Sequence, residues 1–390
     1  MENEAMVIPG AKIVYREDMM AAVKKRWDKI LDSGWVILGE ETKSFERAWS
    51  GYCGRSYGVA VSNDTAALEI ALKPQLLNID GGYMMVPANG FYSVVTALDR
   101  TGGKPWFADI DMNNNINFTL QQVMEARSVL GLLLKAVCLM PCGGHVNGDA
   151  LEIAKYCDAN DIWVLEDAAH GHGTEIDGVK VGDIGDIACF SFYATKVLNT
   201  AEGGMLLMDD PEWEAEAKLY RNYGRSGNFS ISVIIRDANN FRMTEFTAAL
   251  GLEQTKIVEE IVEERRRVAG RYDACIKLYD DVLRKVPETP NLKSNYYKYM
   301  VMLPSGCTHD KKILIKQRTG AKGVHLSGDV YDLPINRQPI YLNRYGNLNF
   351  PVAWDFSQRH ICMPFYEFMT DAEIARACEV TEEVVKEVLK

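Results

Sequence analysis

The chain has 390 residues, 47% of them hydrophobic and 25% charged, a balance that belongs to a folded globular protein and excludes disorder or a fibrous repeat. With 43 Lys plus Arg against 54 Asp plus Glu the net charge is −11, which argues against a nucleic-acid partner, because neutralising phosphates needs a basic face. At roughly 150 residues per domain, two domains are expected.

No apolar run approaches the roughly 20 residues that a bilayer-spanning helix needs, so no membrane partner is expected. Residues 1–4 (Met1, Glu2, Asn3, Glu4) lack the basic and apolar regions of a secretory signal. The nine cysteines form no CxxC pair and read as free thiols in a reducing compartment, the cytoplasm. Cys138 and Cys142 have no companion ligands at zinc spacing, and no metal is expected.

In chain order, short β-rich runs alternate with helical patterns from Val59 to Met208, which predicts a largely parallel sheet covered by helices. Strands are expected over 59–62, 83–87, 105–110, 136–140, 163–167, 187–191 and 205–208, and helices over 65–77, 91–101, 119–126 and 148–160. A helical pattern then runs over 247–279, too long for one ordinary helix, and is expected to bend or break near Gly270. Within it Arg265, Arg266 and Arg267 sit among glutamates and read as one polar helix with i,i+4 pairing. A strand over 296–303 and a closing helix over 371–389 suggest a smaller α+β unit. The expected division is a large domain over 1–265 and a small C-terminal one over 266–390.

In such sheets, sites collect at the carboxyl ends of strands. Neither G-x-G-x-x-G nor G-x-x-x-x-G-K-[ST] occurs, which disfavours a dinucleotide oxidoreductase or a P-loop NTPase. In Val61-Ser62-Asn63-Asp64-Thr65-Ala66-Ala67-Leu68 a strand runs through small polar residues straight into a helix. This is either a phosphate seat at a helix N-terminus or plain capping by Asn63 or Asp64. Leu165-Glu166-Asp167-Ala168-Ala169-His170 ends a hydrophobic strand in a carboxylate, which can pair with a cationic ring nitrogen, hold a metal, or cap a turn. In Ser191-Phe192-Tyr193-Ala194-Thr195-Lys196 a lysine follows a strand end closely; alone it would read as a solvated surface group. Together a lysine amine, a strand-end carboxylate, a helix start and a serine are the parts that hold pyridoxal phosphate (PLP): the amine binds the aldehyde and the acid keeps the ring nitrogen protonated.

With these motifs in register, the stretch from Glu166 to Leu206 resembles the DegT/DnrJ/EryC1/StrS family of PLP-dependent nucleotide-sugar aminotransferases, and the resemblance extends over 45–365. It implies an α/β protein with an aspartate-aminotransferase-like large domain (PLP fold type I, mostly parallel mixed sheet) and a smaller α+β domain, paired as a homodimer with a shared active site. It assigns Lys196 to the covalent hold on the cofactor, Asp167 to the ring nitrogen, His170 to the ring hydroxyl and Ser191 to the phosphate. Asn63, Asp64 and Thr65 would form the phosphate turn. Phe91 would stack on the ring, its alternative being a core-facing helix residue. Asn240 would reach the neighbouring subunit's phosphate, its alternative being a helix cap.

Four departures from the family pattern stand out. Asp64 replaces a glycine, and an anionic side chain beside a phosphate is repulsive unless it turns away. Gly90 replaces a threonine, Ala201 a glycine, and Pro141-Cys142-Gly143-Gly144-His145 strays from the usual strand end. The activity implied is transfer of an amino group from an amino acid, as L-glutamate in most relatives, to a nucleotide-linked keto-deoxysugar such as a 4-keto-6-deoxyhexose (perosamine type). Cyclitol (keto-inosose) transamination and a catalytically idle PLP-binding regulator are the alternatives. The related sugar 3-dehydratases carry histidine at the lysine position, which Lys196 argues against. Arg225, His325 and Tyr331 are the expected substrate contacts, with a plain surface arginine as the alternative for Arg225.

Overall fold

A computed structural model describes residues 7–226, 233–279 and 281–390. Residues 1–4, read above for a signal sequence, lie outside the described residues. Helices α1 (Glu17–Ser33) and α2 (Glu40–Cys53) precede strand β1 (Tyr57–Val61). The chain then alternates through α3 (Asp64–Ala71), β2 (Tyr83–Pro87), α4 (Ser93–Thr101), β3 (Lys104–Ala108), α5 (Leu120–Leu130), β4 (Leu134–Leu139), α6 (Ala150–Asp158), β5 (Trp163–Asp167), β6 (Ile187–Ser191), β7 (Gly204–Met208) and α7 (Pro211–Arg221).

The seven strands form one sheet in the order β1-β7-β6-β5-β4-β2-β3. Only β7 runs antiparallel to its neighbours, β1 and β6; the other pairs are parallel. Both faces are covered, so the strands are continuously apolar rather than alternating with polar residues. Met85, Val137 and Leu139 enter one core with Phe45, Trp49 and Phe190, while Met84, Val86 and Cys138 enter the other with Leu68 and Ile70. The shared direction of β1, β2, β4, β5 and β6 brings their carboxyl ends to one edge.

Helices α8 (Glu245–Thr255) and α9 (Val258–Ile276) lead to a second core, built around a three-stranded antiparallel sheet of Arg284–Lys285, Met300–Met302 and His360–Cys362. Val258 and Val262 of α9 pack in the first core, and Val268, Ala269, Tyr272 and Ile276 in the second, together with Ile8 from the N-terminal segment. Residue 265 therefore lies inside a helix that joins the two cores.

Three sequence expectations are corrected. The long helical run breaks at Lys256 and Ile257, where Ile257 leaves helical geometry (φ −119°, ψ 15°), and not at Gly270. Gly270 sits on an open helix face where a Cβ atom would meet nothing within 4 Å, so the helix tolerates it at the cost of propensity alone. Helix α3 ends at Ala71 rather than residue 77, because Pro74 has no amide hydrogen and its ring clashes with a continuing helix. The strand expected over 296–303 shrinks to Met300–Met302, since Tyr296 adopts a left-handed conformation (φ 46°) that no strand accommodates.

Candidate active site

At the carboxyl edge of the sheet lies a cavity of about 370 Å³. Its walls include Asn63, Asp64 and Thr65 after β1, Phe91 after β2, Asp167 and His170 at the end of β5, and Ser191 and Lys196 at and after β6. Tyr331 closes it from the C-terminal part of the chain. The structure thus brings nine of the expected cofactor and substrate residues to one space, although they span 63–331 in sequence.

The turn after β1 is shaped by hydrogen bonds and by clearance. Asn63 caps α3, its Oδ1 accepting the Ala66 amide at 2.9 Å, which sets the start of the helix at the cavity wall beside Asp64 and Thr65. Gly204 on β7 pairs with Val61 on one side and Ser191 on the other, and a Cβ atom there would sit 2.5 Å from the Asn63 carbonyl oxygen. Only glycine lets the strand pass this close beneath the turn. The next loop back carries Ala201 in a left-handed conformation (φ 67°).

Asp167 is 4% exposed and accepts the Ala169 amide at 3.3 Å. Burial raises its carboxyl to about 6, with Lys196 opposing. Lys196 keeps partial solvent access; enclosure brings its amine down to about 8, against the pull of Asp64 and Asp167. Its Nζ lies 5.0 Å from the centre of the Tyr297 ring. Tyr297 in turn tilts against the His170 ring at 4.4 Å and shares a 3.0 Å hydrogen bond with the Thr195 hydroxyl. His170 accepts the Gly143 amide on Nδ1 at 3.4 Å, and burial, then Lys196 and Lys298, push it well below its usual range, which keeps the ring neutral. The Tyr331 ring stacks over His170 at 6.0 Å.

Phe91 precedes α4 rather than lying in it, is 48% exposed and packs on Tyr92 at 4.5 Å. Asn240 is exposed, bridges to Asn222 and does not line this cavity. Arg225 lies in a separate surface depression with Tyr223 and Arg236. His325 is exposed; its amide bonds the Ile8 carbonyl at 2.9 Å, and it does not line the cavity.

The sequence reading missed Tyr297. Asn295 places it: its Nδ2 donates to the carbonyls of His170 and His172 (2.9 Å each) and its Oδ1 accepts the Tyr297 amide at 2.8 Å. Only the tyrosine-rich run Tyr296, Tyr297, Tyr299 hints at it in sequence.

Among the described residues no helix is long and apolar enough to cross a membrane. Asp329, His360 and Cys362 cluster closely enough to suggest a metal site, but Lys312 and Lys316 both lie 3.0 Å from the Asp329 carboxylate and take its charge.

The spore coat polysaccharide biosynthesis protein SpsC of Bacillus subtilis is 29% identical over 376 residues, covering 91% of this chain and 92% of SpsC. The GDP-perosamine synthase of Escherichia coli O157:H7 is 25% identical over 374 residues, covering 95% and 97%. The crystal structure of the aminotransferase TlmJ from Streptoalloteichus hindustanus superposes with a TM-score of 0.85 at 26% identity, covering 98% of this chain and 99% of TlmJ. The sequence model of the DegT/DnrJ/EryC1/StrS aminotransferase family matches residues 17–382, and the chain belongs to that family of aminotransferases.

Proposed function

We propose that the chain binds PLP through Lys196 and moves an amino group between an amino acid, L-glutamate, and a nucleotide-linked keto-deoxysugar of the perosamine type, working as a cytoplasmic homodimer. The observation that carries this reading is the meeting of an amine, Lys196, with the buried strand-end acid Asp167 in a cavity whose rim is the start of α3. The helix start and Ser191 suit a phosphate; the acid suits a ring nitrogen that must stay protonated. The nine free cysteines support a reducing compartment.

When bound, PLP supplies an electron sink for the carbon that loses its proton. Lys196 would hold the cofactor through its aldehyde carbon and, when free, would carry the proton at the amino acid's α-carbon; an amine near 8 suits both roles at neutral pH. Asp167 holds the proton on the ring nitrogen. His170, neutral and held against the rings of Tyr297 and Tyr331, would orient the ring hydroxyl without adding charge. The sugar choice is supported by the relative that is a GDP-perosamine synthase.

Borohydride reduction of the PLP-loaded protein, followed by peptide mapping, tests the cofactor assignment: the label is expected on Lys196, and a label elsewhere or none overturns it. Reverse transamination from GDP-, dTDP- and UDP-linked amino sugars to 2-oxoglutarate tests the substrate. Turnover is expected to be fastest with a GDP-linked 4-amino-4,6-dideoxyhexose, and no turnover with any of them overturns the sugar assignment.

A further inference from the structure

Asp64 is the departure from the family pattern that the proposed chemistry does not use. It is the first residue of α3, it lines the cavity, and it is 9% exposed. Its Oδ1 is buried without a hydrogen-bond partner, and among the described residues no cation pairs with it. A buried carboxylate left so is costly when ionised.

Its surroundings make the cost larger. The titratable groups acting on it are Asp167 on β5 and Lys196 after β6, and it acts in turn on the buried thiols Cys138 on β4 and Cys189 on β6. Strand β7, packed beneath it, carries no charged residue. On α4, Asp99 and Arg100 pair elsewhere, with Arg344 and Glu69. Glu202 also lines the cavity but is exposed, and Lys298 acts on Lys196 and not on Asp64, so two buried acids face one amine at this turn. With all three ionised, one negative charge is uncompensated at the turn where, on the function proposed above, a phosphate also sits.

We infer that Asp64 keeps its proton in the PLP-loaded protein, where its carboxylic acid offers an O–H donor at the phosphate turn that the family's glycine lacks, and that its ionisation weakens the hold on the cofactor. Burial first, and Asp167 second, raise its carboxyl well above the usual range, with Lys196 opposing, in agreement with the geometry. This inference rests on the PLP assignment and adds to it an ionisable group specific to this chain.

The test is the dissociation constant of PLP, by equilibrium dialysis, for the parent, Asp64→Asn and Asp64→Gly between pH 6.5 and 9.5. Asn is isosteric and cannot ionise; Gly restores the family's residue and serves should Asn fail to fold. The ratio of parent to variant dissociation constants is expected to rise by about tenfold or more across this range, as ionisation of Asp64 costs the parent alone. A ratio constant within about twofold while all three proteins bind PLP overturns this inference and leaves the cofactor assignment standing. Failure of the parent to take up PLP at any pH overturns both.

Discussion

Gly204 and Asp64 touch backbone to backbone: a Cβ atom on Gly204 would lie 2.7 Å from the Asp64 amide nitrogen. The contact ties the antiparallel strand to the turn that begins α3, so the position of that turn depends on an absent side chain. Gly204→Ala should push the turn outward, costing about 1–3 kcal/mol as an overpacked site does. The displaced amides should weaken PLP binding by about tenfold, the equivalent of about 1.4 kcal/mol. Urea unfolding and equilibrium dialysis check the two effects; unchanged PLP affinity would show that the turn does not hold the phosphate.

A second expectation concerns the cost of keeping Lys196 in the site. Its amine falls from 10.5 to about 8, so between these values the unfolded chain binds more protons than the folded one, and stability rises with pH. Below about 8 both states are protonated and the whole penalty stands, on the order of 1–3 kcal/mol after allowing for the partial exposure of the side chain. Lys196→Met in the cofactor-free protein should therefore be more stable than the parent at pH 7 by that amount. Its advantage should shrink as pH climbs from 8 toward 10.5. Denaturant titrations at pH 7, 9 and 10 measure the gap; a gap that is absent at pH 7 or widens with pH contradicts the expectation.

Ala201, in the loop between Lys196 and Gly204, holds φ at 67°, where an L-residue is strained by about 1–2 kcal/mol. Ala201→Gly removes that strain and gives back about 0.5–1 kcal/mol through the freer unfolded chain. A net gain of about 0.5–1 kcal/mol is expected, visible as a higher urea midpoint at constant slope.

What could be read in the sequence follows the distance over which each feature is determined. Asp167, Ser191 and Lys196 are legible because one strand end fixes each, and parallel strands deliver such ends to a common edge whatever joins them. The Asn63 cap is legible for the same local reason. Tyr297 is not: it reaches Lys196 only because Asn295 hydrogen-bonds the backbone more than a hundred residues away in sequence, a tertiary fact without local trace. Gly270 is the residue of the long helical run that composition marks for a break, while the chain breaks at Ile257, where the helix passes from packing on the first core to bridging the two. Of the two C-terminal residues that the sequence places at the substrate, Tyr331 lines the cavity, whereas His325, six residues earlier, is exposed outside it.

Asn240 supplies the sharpest test of a site shared between subunits. It is exposed on its own protomer and does not line that protomer's cavity, the placement expected of a residue that serves a neighbour. If it does, Lys196→Ala and Asn240→Ala homodimers should each be impaired for different reasons: the first lacks the amine in both sites, the second lacks the neighbour's amide in both. In a mixed dimer, the site that keeps Lys196 borrows Asn240 from the Lys196→Ala partner and is whole. Random re-association of equal amounts makes half the dimers mixed, each with one intact site of two, so activity should recover to about a quarter of the parent's. Unfolding and refolding the two variants together, against each refolded alone, gives the measurement. Recovery no greater than the average of the separate variants would place Asn240 in its own subunit's service or in none.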